Sequence, residues 1–175
     1  MKKLIAIPGS SSSKSINKQL VAWAAAQVQD AEVEVIDLND FEMPIYSSDR
    51  EESEGIPDQA KAFTQKISDA DGILVSLAEH NGSYASAFKN IVDWSSRHQQ
   101  KVWADKKMFL MSSSPGGRGG QTVRTVAEQY FPYMGADIVA SFGLPKFYDY
   151  FEDGIKDGEF KAQFESALAK FQKSL

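Results

Sequence analysis

Ser10, Ser11, Ser12, Ser13 and Ser15 crowd a short turn that Gly9 opens and Lys14 interrupts. The turn follows the apolar run Ile5 to Ile7 and leads into an amphipathic stretch starting at Ile16 and Asn17. Small hydroxyl residues leave main-chain amides unobstructed and add O–H donors, which is what a phosphate monoester with close to two negative charges needs. A helix beginning near Ser15 adds unpaired N–H groups and a favourable field, and Lys14 supplies a cation. A plain serine turn, with Ser13 or Ser15 serving only as an N-cap, uses the same residues. A second polar cluster, Glu79-His80-Asn81-Gly82-Ser83-Tyr84, follows the apolar run Gly72 to Leu77 and mixes hydrogen-bonding groups with aromatic surface. Together the two stretches fit a flat, phosphate-bearing cofactor of the flavin kind.

Rival phosphate sites fail by counting. A mononucleotide P-loop needs glycine directly before Lys-Ser, whereas Ser13 precedes Lys14 and Gly9 sits one residue too close. No GxGxxG follows the first apolar run. The absence of cysteine excludes a disulfide framework, a thiolate nucleophile and a thiolate metal site, and no metal is expected. A net charge of -5 without a Lys/Arg run argues against nucleic acid. Lys2 and Lys3 precede only a short apolar run before Gly9, so neither a signal segment nor a membrane span is expected, and a cytoplasmic protein fits best.

Four apolar runs alternate with helical periodicity, the pattern of βαβ units closing a parallel sheet with helices on both faces. Strands are expected at Lys3 to Ile7, Glu32 to Asp37, Gly72 to Leu77 and Lys107 to Met111, with a fifth in Asp137 to Ser141. Helical stripes run through Ile16, Leu20, Trp23, Ala24, Val28, and through Ile56, Ala60, Phe63, Ile67. Further stripes are Phe88, Ile91, Val92; then Val123, Val126, Ala127, Tyr130; and last Phe160, Phe164, Leu168, Phe171. These stripes are read as core. Glu32 and Glu34 alternate with Val33 and Val35, which places that strand near an edge. The resulting expectation is one α/β domain over 1–175, a flavodoxin-like three-layer sandwich with strand order 2-1-3-4-5. Its ligand crevice opens at the carboxyl ends of strands one and three, which the two polar loops leave.

Glu79-His80-Asn81-Gly82-Ser83, followed by Lys89-Asn90-Ile91-Val92-Asp93-Trp94-Ser95-Ser96-Arg97, resembles the NADPH-dependent FMN reductase family, which includes quinone, azo-dye and chromate reductases. That family's pattern reads Pro-Glu-Tyr-Asn-Gly-Ser, then Leu-Lys-Asn-x-Ile-Asp-Trp-x-Ser-Arg. Gly9-Ser10 with Ser15-x-Asn17, and Ser113-Ser114-Pro115-Gly116 with Gly119-Gly120, continue the likeness. The resemblance implies noncovalent FMN, with phosphate at Gly9, Ser10, Ser12, Lys14, Ser15, Ile16 and Asn17. The ring then lies along Glu79, His80, Asn81, Gly82 and Ser83 and near Ser113, Ser114, Gly116 and Gly117.

The chain departs from the family in two loops. Ser12 stands where the family carries a phosphate-binding arginine, leaving Lys14 as the local cation, and Ala78 and His80 replace Pro and Tyr. His80 is open to stacking, hydrogen bonding or plain solvation.

The resemblance also implies NAD(P)H as co-substrate, a small-molecule electron acceptor and a homodimer or homotetramer. No side chain is assigned as acid or base, because the flavin carries the chemistry. An electron-carrying flavodoxin, and a family member that has lost tight FMN binding, are the competing readings.

Around the site, Asp93 and Arg97 are spaced to pair across a helical turn, and Trp94 is expected in a core or subunit interface. His98 is read as surface, and Arg118 as the residue best placed for a pyridine-nucleotide phosphate. Residues 43–57 form either a lid or an acidic linker, and 142–158 either cover the sheet edge or meet a partner.

Overall fold

The computed structural model describes residues 1–175. Strands β1 (Lys2–Gly9), β2 (Ala31–Val35), β3 (Gly72–Leu77), β6 (Lys106–Ser113) and β7 (Ala136–Leu144) form one sheet in the order β2-β1-β3-β6-β7, every pair parallel. In terms of the main-sheet strands this is the expected 2-1-3-4-5. A separate two-stranded hairpin, β4 (Glu79–His80) with β5 (Ser83–Tyr84), stands at the carboxyl end of β3.

The central strands are apolar on both faces because helices cover both. Ile5, Ile7, Ile73, Val75, Met108 and Leu110 face one core, shared with α3 (Asp58–Asp69), α4 (Ser86–His98) and α5 (Gln121–Tyr130). Leu4, Ala6, Leu74, Phe109 and Met111 face the other, shared with α1 (Ile16–Gln27) and α7 (Glu159–Ser174). Two short helices, α2 (Ser48–Glu54) and α6 (Phe147–Tyr150), lie in the connections after β2 and β7.

Several expectations need correction. The second strand stops at Val35, because Ile36 turns inward and Asp37 caps a 3-10 turn, Leu38–Phe41. The last strand runs three residues beyond Ser141 to Leu144, with Val139 skipped where the register shifts between Met108 and Phe109. In the α5 stripe Val123 and Ala127 are core, but Val126 and Tyr130 are 43% and 60% exposed. They line, with Tyr133 from the 3-10 turn Phe131–Met134, a groove of about 720 Å³ between α4 and α5. No helix is long and apolar enough to cross a membrane.

Candidate functional site

β1, β3 and β6 end side by side at Gly9, Leu77 and Ser113, so the three polar loops leave one edge of the sheet together. Gly9 is required here by its neighbour strand. A Cβ would lie 2.8 Å from Leu77 Cα and 2.9 Å from the Ser76 carbonyl oxygen. Past Gly9 the chain folds on itself: Ser12 N–H donates to Ser10 Oγ (3.2 Å) and Ser15 N–H to the Ser12 carbonyl (3.1 Å). Ser15 is the N-cap of α1, its Oγ accepting from Lys18 N–H at 3.3 Å. Main-chain N–H groups of Ser11, Ser13, Lys14, Ile16 and Asn17 have no acceptor within the chain. Set at the positive end of a 12-residue helix, they form a cradle for an anion. Ser12, Ser13 and Lys14 are exposed at its lip.

The loop is braced by the 3-10 turn that follows β2. Asn39 Nδ2 donates to the Ser11 carbonyl (2.9 Å) and to Asp37 Oδ1 (2.7 Å), while Lys18 Nζ pairs with Asp37 Oδ2 at 2.5 Å. The Lys18 ammonium, then the amides of Asn39, hold the Asp37 carboxyl down to about 2. Its pKa is thus lower folded than unfolded, so the stabilisation is complete above about pH 4 and drains away as pH falls towards 2. Both side chains are about a third exposed, so screening reduces the contribution to about 1 kcal/mol. Asp37→Asn should lose that amount at pH 7 in urea melts, and the gap from wild type should close on acidification. A gap that widens would contradict this linkage.

Asn17 and Ser113 are among the residues expected at the cofactor, and their side chains are hydrogen-bonded within the chain. Asn17 is 2% exposed. Its Oδ1 accepts from Ser76 Oγ (2.8 Å) and Ser113 N–H (2.9 Å), and its Nδ2 donates to the Ser113 carbonyl (3.1 Å). One amide therefore ties the start of α1 to the ends of β3 and β6. Ser113 Oγ donates to the Leu144 carbonyl (2.8 Å), extending the tie to β7. Both residues position the loops.

Residues 79–84 are a hairpin, not an open loop. Asn81 (φ 53°) and Gly82 (φ 74°) make its two-residue turn, and Asn-Gly between strand residues is the signal that announces it. Glu79 Oε2 accepts from Val123 N–H at 3.0 Å, capping α5, whose N-cap Gly120 has no side chain to do so. His80, Asn81, Gly82 and Ser83 are exposed along the hairpin's outer edge. Tyr84 stacks on Phe131 with centroids 6.0 Å apart, and burial pushes its phenol up to about 12.

Opposite the hairpin, loop 114–120 has two kinds of glycine. Gly119 (φ 56°) is wedged against Leu144 and Pro145, with 2.9 Å to where a Cβ would lie, whereas Gly116 and Gly117 are exposed and a Cβ on Gly117 would meet nothing within 4 Å. Ser114 Oγ stays close by, donating to the Gly116 carbonyl at 3.2 Å. The hairpin and this glycine stretch follow the adjacent ends of β3 and β6, beside the loop that carries the anion cradle, and exposed glycines let a ligand approach the main chain there. Open main chain of this kind suits a planar ring with a polar edge.

The connection 43–57 is held down on α4 and includes α2. Asn90, Trp94 and Arg97 share one helical face. Asn90 Nδ2 donates to the carbonyls of Met43 (3.0 Å) and Pro44 (3.1 Å), and Trp94 Nε1 to Pro44 (2.7 Å). Arg97 pairs with Glu51 at 2.9 Å, and Asp93 with Lys89 at 2.7 Å, so the expected Asp93–Arg97 pair does not form. Each charge is taken by another partner. Trp94 is 1% exposed, in the core, and His98 is on the surface. This connection leaves Ile45 78% exposed, lining a pocket with Ser11, Ser86 and Ala87.

The family model described as NADPH-dependent FMN reductase matches residues 2–149. A 2-hydroxy-1,4-benzoquinone reductase of Burkholderia sp is 36% identical over 119 residues, covering 67% of this chain and 63% of that protein. A quinone reductase of Escherichia coli (strain K12) is 29% identical over 121 residues, 69% of this chain and 64% of that one. The chain thus spans somewhat less than two thirds of the length of these relatives. Among solved structures, the flavoenzyme NAD(P)H:(acceptor) oxidoreductase of Paracoccus denitrificans superposes with TM-score 0.77 at 20% identity, over 99% of this chain and 96% of that one, a likeness of fold. With the matched region reaching from β1 into α6, most of its length, the chain belongs to the NADPH-dependent FMN reductase family.

Proposed function

We propose that the chain is an FMN-dependent NAD(P)H oxidoreductase that passes electrons to a quinone, an azo compound, chromate or free flavin. The observation that carries this reading is the set of unpartnered N–H groups of Ser11, Ser13, Lys14, Ile16 and Asn17, past the carboxyl end of β1 where β3 also ends, near a loop whose Gly117 has open space for an added Cβ. The phosphate would sit on that cradle with Lys14 at its lip. The ring would lie between the hairpin and residues 114–117, leaving one face for the second substrate.

Bound FMN supplies hydride acceptance and release. The chain supplies placement: Asn17 fixes the relation of the loops, Gly116 and Gly117 admit a ring against main chain, and the Glu79 cap holds the hairpin against α5. The 9–17 loop offers main-chain amides where Ser12 replaces the family's arginine, so Lys14 is the one formal charge in the loop. The homodimer implied by the resemblance would bury the α4–α5 groove. Its Tyr84, Val126, Tyr130 and Tyr133, with Lys89, Asp93 and Arg97 giving both signs of charge, suit a two-fold contact with a second copy.

The test is anaerobic addition of NADPH to the FMN-loaded protein. The flavin's visible absorption should bleach rapidly and recover when a benzoquinone is added. A flavin that stays oxidised under excess NADPH would make the chain an electron carrier, and a chain that takes up no FMN would end the reading altogether.

A further inference from the structure

Lys18 beside the anion cradle is paired with Asp37, and on α4 Lys89 is paired with Asp93 and Arg97 with Glu51. Arg118 and Lys146 form no ion pair, although both stand on loops at the carboxyl edge of the sheet. Those loops are laced together. Lys146 N–H donates to the Gly116 carbonyl (2.9 Å), Phe147 N–H to the Ser114 carbonyl (3.1 Å), and Gly119 lies directly against Leu144 and Pro145.

Each residue is held by its own contacts. Arg118 Nη2 donates to Thr122 Oγ1 at 2.9 Å, and the Thr122 methyl lies 3.9 Å from where a Cβ on Gly82 would be, which sets the guanidinium beside the turn of the hairpin. One N–H of the fork is used there, and the rest stay open to solvent. Lys146 has φ 44°, a left-handed conformation that Asn or Gly adopts more cheaply. Its carbonyl accepts from the amides of Asp149 and Tyr150. A lysine kept in that conformation between two sets of hydrogen bonds points to a use for its charge.

We propose that Arg118 and Lys146 form the seat for the 2′-phosphate of NADPH, so that the chain discriminates NADPH from NADH at the rim of the cleft; this rests on the oxidoreductase reading above. A phosphate monoester carries close to two negative charges, and two cations without acidic partners match it. NADH has only a hydroxyl at that position. On a chain of net charge -5, unpaired cations at the mouth also offset repulsion of a polyanionic co-substrate. Lys14 belongs to the other anion, on the loop where FMN phosphate would sit.

The test uses the FMN-loaded protein with Arg118→Gln, Lys146→Gln and the double variant; both residues are exposed, so the fold should be kept. Calorimetry with adenosine 2′,5′-bisphosphate, against AMP as control, gives a readout independent of turnover. Each single change should weaken bisphosphate binding about 10-fold or more, with AMP and FMN affinity unchanged. The kcat/KM for NADPH should fall in parallel while that for NADH stays within about two-fold. Equal falls for NADPH and NADH would move the contact to the shared pyrophosphate and overturn the seat. So would bisphosphate binding indifferent to both changes. If wild type binds the bisphosphate in an Arg118-dependent way yet oxidises neither nucleotide, the seat stands and the oxidoreductase reading fails.

Discussion

Asn17→Ala should cost about 3–4 kcal/mol of folding stability and raise the FMN dissociation constant at least about 10-fold. Removing the amide leaves three polar groups of the interior without partners, namely Ser76 Oγ and the N–H and carbonyl of Ser113, with Ser76 0% and Ser113 1% exposed. Each such group costs about 1–3 kcal/mol when unsatisfied, and the three share one centre, so their costs do not simply add. Asn17→Asp should be no rescue, because it sets a buried carboxylate oxygen against the Ser113 carbonyl. The loss of flavin binding follows from position: the same amide sets the start of α1, and hence the anion cradle, against β3 and β6. Urea melts and a fluorescence titration with FMN measure the two effects. A variant that folds within about 1 kcal/mol of wild type but binds flavin poorly would instead put Asn17 in direct contact with the ligand.

Much of the fold was legible because the chain obeys two periodicities. Apolar runs such as Ile73 to Val75 mark strands covered on both faces, and the helical stripes alternate with them in the order of a doubly wound sheet. The family motifs located the three loops. Burial was not legible. Nothing in the spacing of Asn17 or Ser113 tells that they end 2% and 1% exposed and spend their side chains on each other's neighbours. The hairpin at 79–84 escaped for a different reason: its strands are two residues each, too short for alternation, and only Asn81-Gly82 announces it.

Long-range partners were the other blind spot. Asp93 and Arg97 satisfy the i, i+4 rule, but Lys89 satisfies it equally with Asp93, and Arg97 reaches Glu51 instead, 46 residues away. Asn90, Trp94 and Arg97 share a helical face whose purpose appears only once segment 43–51 lies across it. Val126 and Tyr130 fit the α5 stripe yet face the groove, since the stripe there is wider than the surface the sheet offers.

Two glycines at the carboxyl edge of the sheet should respond to the same added methyl in different ways. Gly9→Ala should destabilise the fold by about 2–3 kcal/mol, because a Cβ there meets Leu77 Cα at 2.8 Å, the Ser76 carbonyl at 2.9 Å and Ala78 N at 3.0 Å. These are main-chain atoms of a paired strand, so relief requires β1 and β3 to part at their carboxyl ends, where the cradle begins. Gly117→Ala meets no atom within 4 Å and its melts should match wild type within about 0.5 kcal/mol. Its flavin affinity should nevertheless fall several-fold if the ring lies on that stretch, because the methyl occupies the space a planar ligand needs against the main chain. The pair thus separates a glycine kept for strand packing from one kept for ligand approach. Should Gly117→Ala bind FMN as wild type does, the ring lies elsewhere than on residues 116–117, and the hairpin edge from His80 to Ser83 becomes its main wall.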